Sequence, residues 1–361
     1  MTDTLPKIET CYPTLPAMLR RFERCSRQSC FTGESVEDFQ YWQRGTRVLL
    51  AGLLGLEKIE SCPLNAIHRE SVTLPEGIRR EHWTIETEPG VMMPFYLMIP
   101  PDADRTTRIF LCPPGHGGEG KYSVAGASEY SAVKERIDFY NYDYGLQLAR
   151  LGYVALCPDC RGFGERRENR ASTVSLPYAL KGDCALLARM GLPLGITVIG
   201  MFVHDLKRAV DYLAMRGDWA YTEPNCLGFS GGGMQALFLA ALDERIALTV
   251  ISGYLYGYRD ALLKLNENCA CNYVPHLWEH LDMGDIASLI APRPLLIQSC
   301  RDDRLNGERG IANVTEQVAI VRKAYDLLST PQCLLHQICE GPHHFHGENL
   351  EDDLRFLLSR S

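Results

Sequence analysis

From about residue 100 onward the chain alternates short apolar runs with longer amphipathic segments. The runs at 108–112, 153–157, 225–227, 246–251, 294–298 and 332–338 are brief and mostly apolar at successive positions. That pattern predicts strands covered on both faces. Between them, 142–151, 200–215, 233–242, 311–328 and 350–358 read as helices. The stripe in 200–215 is Val203, Leu206, Val210 and Leu213; in 311–328 it is Val314, Val318, Val321 and Leu328. Strand and helix in alternation predict βαβ units and an α/β fold, with a mostly parallel central sheet and helices on both faces.

Upstream the pattern changes. Residues 81–100 split around Pro89-Gly90 into two strands, an antiparallel hairpin opening the sheet. Residues 14–60 read as helical, with Phe39, Trp42, Leu49, Leu50 and Leu53 at helical spacing before Gly55. The expected organisation is an N-terminal helical extension at 1–79 and a single α/β domain at 80–361. Two connections, 159–199 and 252–292, are much longer than the rest. Long insertions after the carboxyl ends of strands shape pockets, so these two are expected to select the substrate.

Composition narrows the picture. Apolar residues make up 46% and charged residues 23%, as in an ordinary globule. No apolar run reaches membrane-spanning length, and the first residues lack a basic-then-apolar leader, so a cytoplasmic protein without membrane contact is expected. A net charge of −8 argues against nucleic acid as a partner. The 14 cysteines show no regular framework and are read as reduced thiols. Cys157-Pro158-Asp159-Cys160 and Cys269-Ala270-Cys271 are close pairs, but no second pair or suitably spaced histidine accompanies either, so neither a metal nor a cofactor is expected.

Chemistry concentrates at Gly228-Phe229-Ser230-Gly231-Gly232, between the apolar run Asn225-Cys226-Leu227 and the helix after it. Strand, G-x-S-x-G, helix is the setting of a nucleophile elbow, where bulk beside the serine would strike the strand or helix. A serine nucleophile needs a base, and the base needs an orienting acid, in the order Ser, acid, His on this fold type. The run 294–298 leads into Asp302-Asp303, and 332–338 leads into Gly341-Pro342-His343-His344-Phe345-His346. Asp303 is preferred as acid over Asp302, and His343 as base over His344 and His346. A metal site built from those histidines would have only Glu340 as a nearby acid.

Oxyanion donors are expected from the backbone N–H of Gly231 and from the loop Pro113-Pro114-Gly115-His116-Gly117-Gly118, at His116 or failing that Gly117. Arg161-Gly162-Phe163-Gly164-Glu165-Arg166 suits either a substrate carboxylate or structural ion pairs. Asp205 is read as structural, favoured by the start of its helix.

These residues resemble the α/β-hydrolase superfamily, and within it the bacterial acetyl xylan esterase-like or dienelactone hydrolase-like branch. The resemblance covers about residues 80–361. It rests on Pro114-Gly115-His116-Gly117-Gly118, on Pro158–Arg166, on Gly228–Gly233, on Cys269-Ala270-Cys271-Asn272-Tyr273-Val274-Pro275, on Ile290–Leu295 and on Gly341–Gly347. It implies a serine esterase with Ser230 as nucleophile, Asp303 as acid and His343 as base, acting on a small-molecule ester with a small acyl group. The same apparatus could cleave an amide, thioester, lactone or carbon–carbon bond, and a non-catalytic binding protein could keep the fold. Two departures are visible: Pro114-Gly115 stands where His-Gly is common, and Asp303-Arg304-Leu305-Asn306 lacks the usual proline after the acid. The aromatic-rich insertions are compatible with a homodimer.

Overall fold

The computed structural model describes residues 10–117, 119–168, 182–218 and 223–360. Nine strands form one sheet in the order β1-β2-β3-β5-β4-β6-β7-β8-β9. Strands β1 (Ile67–Thr73), β2 (Arg79–Glu88) and β3 (Val91–Ile99) pair antiparallel, and β3 pairs antiparallel with β5 (Val154–Pro158). From β5 through β4 (Ile109–Leu111), β6 (Asn225–Phe229), β7 (Thr249–Ser252), β8 (Leu295–Cys300) and β9 (Leu334–Cys339) every pairing is parallel. This is the mostly parallel α/β sheet expected from the alternating runs, and it agrees with the α/β-hydrolase fold that the resemblance implies.

The parallel strands are continuous apolar runs because both faces are covered. Ile109 and Leu111 point into one core and Phe110 into the other; Leu295 and Ile297 oppose Leu296 in the same way. The first core is built by α2 (Val36–Leu54), α6 (Val198–Arg216), α7 (Gly231–Leu242), α8 (Met283–Ser288) and α9 (Ile311–Leu327). The second is built by α4 (Tyr144–Arg150) and α10 (Leu350–Leu358). A further helix, α5 (Cys184–Gly191), adds Cys184, Leu187 and Ala188 to the first core, whereas α1 (Leu15–Cys25) and the partly exposed α3 (Ser131–Tyr140) lie at the periphery. No single helix among the described residues is long and apolar enough to cross a membrane.

The N-terminal reading needs two corrections. Helix does not run through 14–60: α1 ends at Cys25, and α2 begins at Val36 after its N-cap Ser35, whose side chain accepts from Asp38 N–H at 3.1 Å. The stretch 67–73, placed in the helical extension, is strand β1. All seven of its residues are exposed, so it carries no apolar alternation to read. The N-terminal helices pack on the 252–292 insertion: Arg27 grips Asp285 through two hydrogen bonds of 2.8 Å, and Gln43 donates to Ala291 O at 2.8 Å. Of the 159–199 insertion, residues 169–181 lie outside the described residues.

Candidate active site

The elements that carry the candidate residues end at one edge of the sheet. The segments after the carboxyl ends of β4, β6, β8 and β9 supply His116, Ser230, Asp303 and His343 respectively. In open α/β sheets that edge is where ligands bind.

Ser230 links β6 to α7 with φ 58° and ψ −123°, a backbone conformation that L-residues rarely adopt. The turn is held from both sides: Ser230 N–H donates to Ser252 O at 2.8 Å, and Met234 N–H to Ser230 O at 3.0 Å. Glycine is required around it by space. A Cβ on Gly228 would fall 2.0 Å from Gly232 O, and one on Gly232 would fall 2.3 Å from Pro113 O. Ser230 itself is half-buried at the N-terminus of α7, where the helix dipole favours negative charge.

Asp303 is 3% exposed, just past the end of β8. Its Oδ1 accepts from Leu305 N–H at 2.8 Å, and its Oδ2 accepts from His343 Nδ1 at 2.5 Å. With Nδ1 donating to the carboxylate, the lone pair sits on Nε2. Asp302 is exposed, and its N–H donates to Gly341 O at 3.0 Å. His344 faces Phe139 O and His346 faces Glu348, so His343 is the histidine that meets an aspartate in this loop. The His343 ring packs on Phe229, immediately before Ser230, at 4.6 Å between centroids. Gly253, with φ 63°, makes room: a Cβ there would lie 2.9 Å from Phe229 Cε2 and 3.1 Å from His343 Cε1. The structure thus joins Asp303 to His343 directly and brings His343 to the elbow. Among the described residues, Ser230 and His343 make no direct hydrogen bond.

The loop after β4 lies against the same elbow. A Cβ on Gly231 would sit 3.2 Å from His116 N, and one on Gly115 would sit 3.3 Å from Gly231 N. The backbone nitrogens of His116 and Gly231 are therefore neighbours. Three side chains fix this loop: Tyr144 donates to Pro113 O at 2.5 Å, Gln235 to Pro114 O at 2.7 Å, and Tyr142 to His116 O at 3.4 Å. Burial pushes both tyrosine hydroxyls well above their usual range, so they remain donors.

With this geometry in view the family can be given. The sequence model of the Abhydrolase family matches residues 11–337. The chain belongs to that family. It is 29% identical over 234 residues to the "Putative hydrolase YtaP" of Bacillus subtilis (strain 168), covering 63% of this chain and 71% of that protein. The fold is similar to that of a "putative acetyl xylan esterase" of Bacteroides fragilis NCTC 9343, with TM-score 0.73, 19% identity, and 93% and 83% of the two chains covered. A glucuronoyl esterase from Solibacter usitatus matches with TM-score 0.64 and 14% identity over 93% and 96% of the chains.

In this Abhydrolase chain the arginine-rich loop is committed to structure. Arg161 binds Asp205 at 2.9 Å and Glu88 at 2.8 Å, and Arg166 binds Asp205 at 2.7 Å. Burial alone would raise the Asp205 carboxyl, but Arg166 and Arg161 hold it well below the usual carboxylate range. Asp205 is structural as expected, for a different reason: α6 begins at Val198, so the helix N-terminus is two turns away and the partners are the arginines. Asp159 is enclosed by Lys121, at 2.8 Å, and by Gly120 and Gly164, where a Cβ would fall about 2 Å from its carboxylate.

Gln235, Tyr142 and Tyr144 escaped the sequence reading. Gln235 had a signal, as a lone amide in a helix that is otherwise apolar on every face. The tyrosines had none, because their partners are backbone carbonyls distant in sequence.

Proposed function

We propose that this chain is a serine carboxylesterase that forms an acyl-enzyme on Ser230. The observations that carry the reading are the strained elbow at Ser230, the packing of the His343 ring on the adjacent Phe229, and the grip of the buried Asp303 on His343 Nδ1. Ser230 Oγ attacks the ester carbonyl while His343 Nε2 takes its proton. The backbone N–H groups of His116 and Gly231 receive the oxyanion. His343 then protonates the departing alcohol, and in the second half-reaction it takes a proton from the water that attacks the acyl-enzyme. Asp303 keeps the imidazole in the required tautomer and balances its charge. The Ser230–His343 hydrogen bond closes when substrate seats, as such contacts often tighten on binding. A small acyl group, acetyl in the simplest case, is supported by the acetyl xylan esterase among the fold neighbours.

The test is labelling with a fluorophosphonate probe alongside hydrolysis of nitrophenyl acetate and the matching anilide. Expected are covalent labelling of the native chain, none of Ser230→Ala, ester cleavage well ahead of amide cleavage, and a fall in kcat of about 10³-fold or more in that variant. Near-native turnover by folded Ser230→Ala overturns the mechanism; preferred anilide cleavage overturns the substrate class.

A further inference from the structure

Behind the oxyanion loop, four side chains with metal-binding atoms converge from three parts of the chain. They are His116 from the loop after β4, Cys184 from the first turn of α5, and Cys269 and Cys271 from the 252–292 insertion. One ligand atom from each can be chosen so that all lie within 4.8 Å of one another. His116 Nε2 stands 3.0 Å from Cys271 Sγ. Cys184 and Cys271 are buried, while His116 and Cys269 are partly so.

We propose that these four residues bind one zinc ion in a closed Cys₃His site. Three thiolates and an imidazole form a soft, tetrahedral donor set that suits zinc and leaves no open position for substrate. A tetrahedral site with Zn–S bonds of about 2.3 Å has edges of roughly 3.8 Å, so no pair closes by more than about 1 Å on binding, and the 3.0 Å pair of His116 Nε2 and Cys271 Sγ opens slightly. Three thiol protons leave to solvent as three Zn–S bonds and one Zn–N bond form. The surroundings are braced for it. Asn272 Nδ2 donates to Cys269 O at 3.1 Å and reaches Cys271 Sγ at 3.7 Å, and Tyr254 fixes the same amide through Asn272 Oδ1 at 2.6 Å. The His116 ring lies on Gly231, where a Cβ would fall 2.4 Å from Nδ1 and displace it.

The ion's role is positioning. It ties both long insertions to the residue whose backbone N–H adjoins that of Gly231. The binding claim does not depend on the esterase reading, because the metal itself is measured.

The full chain, purified under reducing conditions without an affinity tag, is passed through excess EDTA by gel filtration and analysed for metals by plasma mass spectrometry. Expected is about one zinc per chain in the native protein, falling at least about tenfold in Cys184→Ser/Cys269→Ser and unchanged in Cys11→Ser. Cobalt(II) exchanged into the native chain serves where the double variant fails to fold, and is expected to show thiolate-to-cobalt charge-transfer absorption with tetrahedral d–d bands. Native protein that holds neither zinc nor cobalt near stoichiometry overturns the proposal. So does full retention of zinc in the folded double variant, or an intact mass showing a disulfide among these cysteines in the reduced preparation.

Discussion

Replacing Gly228 by alanine tests the elbow most directly. The new Cβ would lie 2.0 Å from Gly232 O, 2.2 Å from Gly232 C and 2.8 Å from Gly233 N. All three are backbone atoms in the first turn of α7, so no side chain can swing aside. Restoring ordinary contact, about 3.4 Å, moves that turn by more than about 1 Å relative to β6. Ser230 and the Gly231 N–H ride on the displaced segment. Overpacking of this kind costs about 1–3 kcal/mol, and a misplacement near 1 Å costs roughly 10²-fold in rate. Gly45 is the control. It sits exposed within α2, with nothing within 4 Å of where its Cβ would go. Gly45→Ala should therefore stabilise by about 0.5–1 kcal/mol and leave turnover alone. The assay is kcat/KM on nitrophenyl acetate with a urea unfolding midpoint for each variant. Gly228→Ala with kcat/KM within about threefold of native and an unshifted midpoint would refute the steric reasoning, and with it the close approach of strand and helix on which the placement of Ser230 depends.

Asp303→Asn should lower kcat by about 10³–10⁴-fold, because an amide can donate to Nδ1 and stabilise the wrong tautomer, whereas Asp302→Asn, at an exposed position, should change it less than about threefold; equal losses would reassign the acid. Glu119, 4% exposed, gives a pH test: burial pushes its carboxyl up to about 7, against the pull of Arg136 and Arg167. Its folded value lies above the ordinary carboxylate range, so its stabilising contribution is complete below about pH 4.5 and is lost as pH rises through about 7, by on the order of 3 kcal/mol at most. Glu119→Gln should remove that part of the decline in unfolding midpoint between pH 5 and pH 8, and an identical decline in native and variant protein would contradict it.

The parallel half of the fold was legible because burial on both faces writes itself into composition. Phe110, Leu156, Leu227, Val250 and Leu296 leave no polar side to a strand. The elbow was legible for a related reason: its steric demand falls on three neighbouring glycines in one short motif. What the sequence hid was whatever depends on one side chain from each of several distant loops. Strand β1 is exposed along its length, so no alternation of apolar and polar side chains announced it. The Asp205 ion pairs join residues about 40 positions apart, and charge type alone could not say whether Arg161 served a substrate or the fold. Cys184 is a lone cysteine in sequence, and it gains a meaning only when the chain returns at Cys269 and Cys271.

The same contrast bears on how a strained residue persists. Ser230 in its observed conformation costs roughly 1–3 kcal/mol, and a single flexible neighbour would let it relax. Here relaxation is blocked on every side. Rotation of the Ser230 peptide breaks the bond to Ser252 O, and retreat of the α7 turn is opposed by the bond from Gln235 to Pro114 O. Movement of the loop after β4 the other way meets Tyr144 on Pro113 and the His116 ring wedged on Gly231. Each restraint starts from a different element, so no one element can give way alone. It follows that loosening the His116 cluster should act on the serine through this loop. Loss of Cys184 and Cys269 would then lower kcat more than it raises KM, since the geometry it disturbs receives charge only as the carbonyl is attacked.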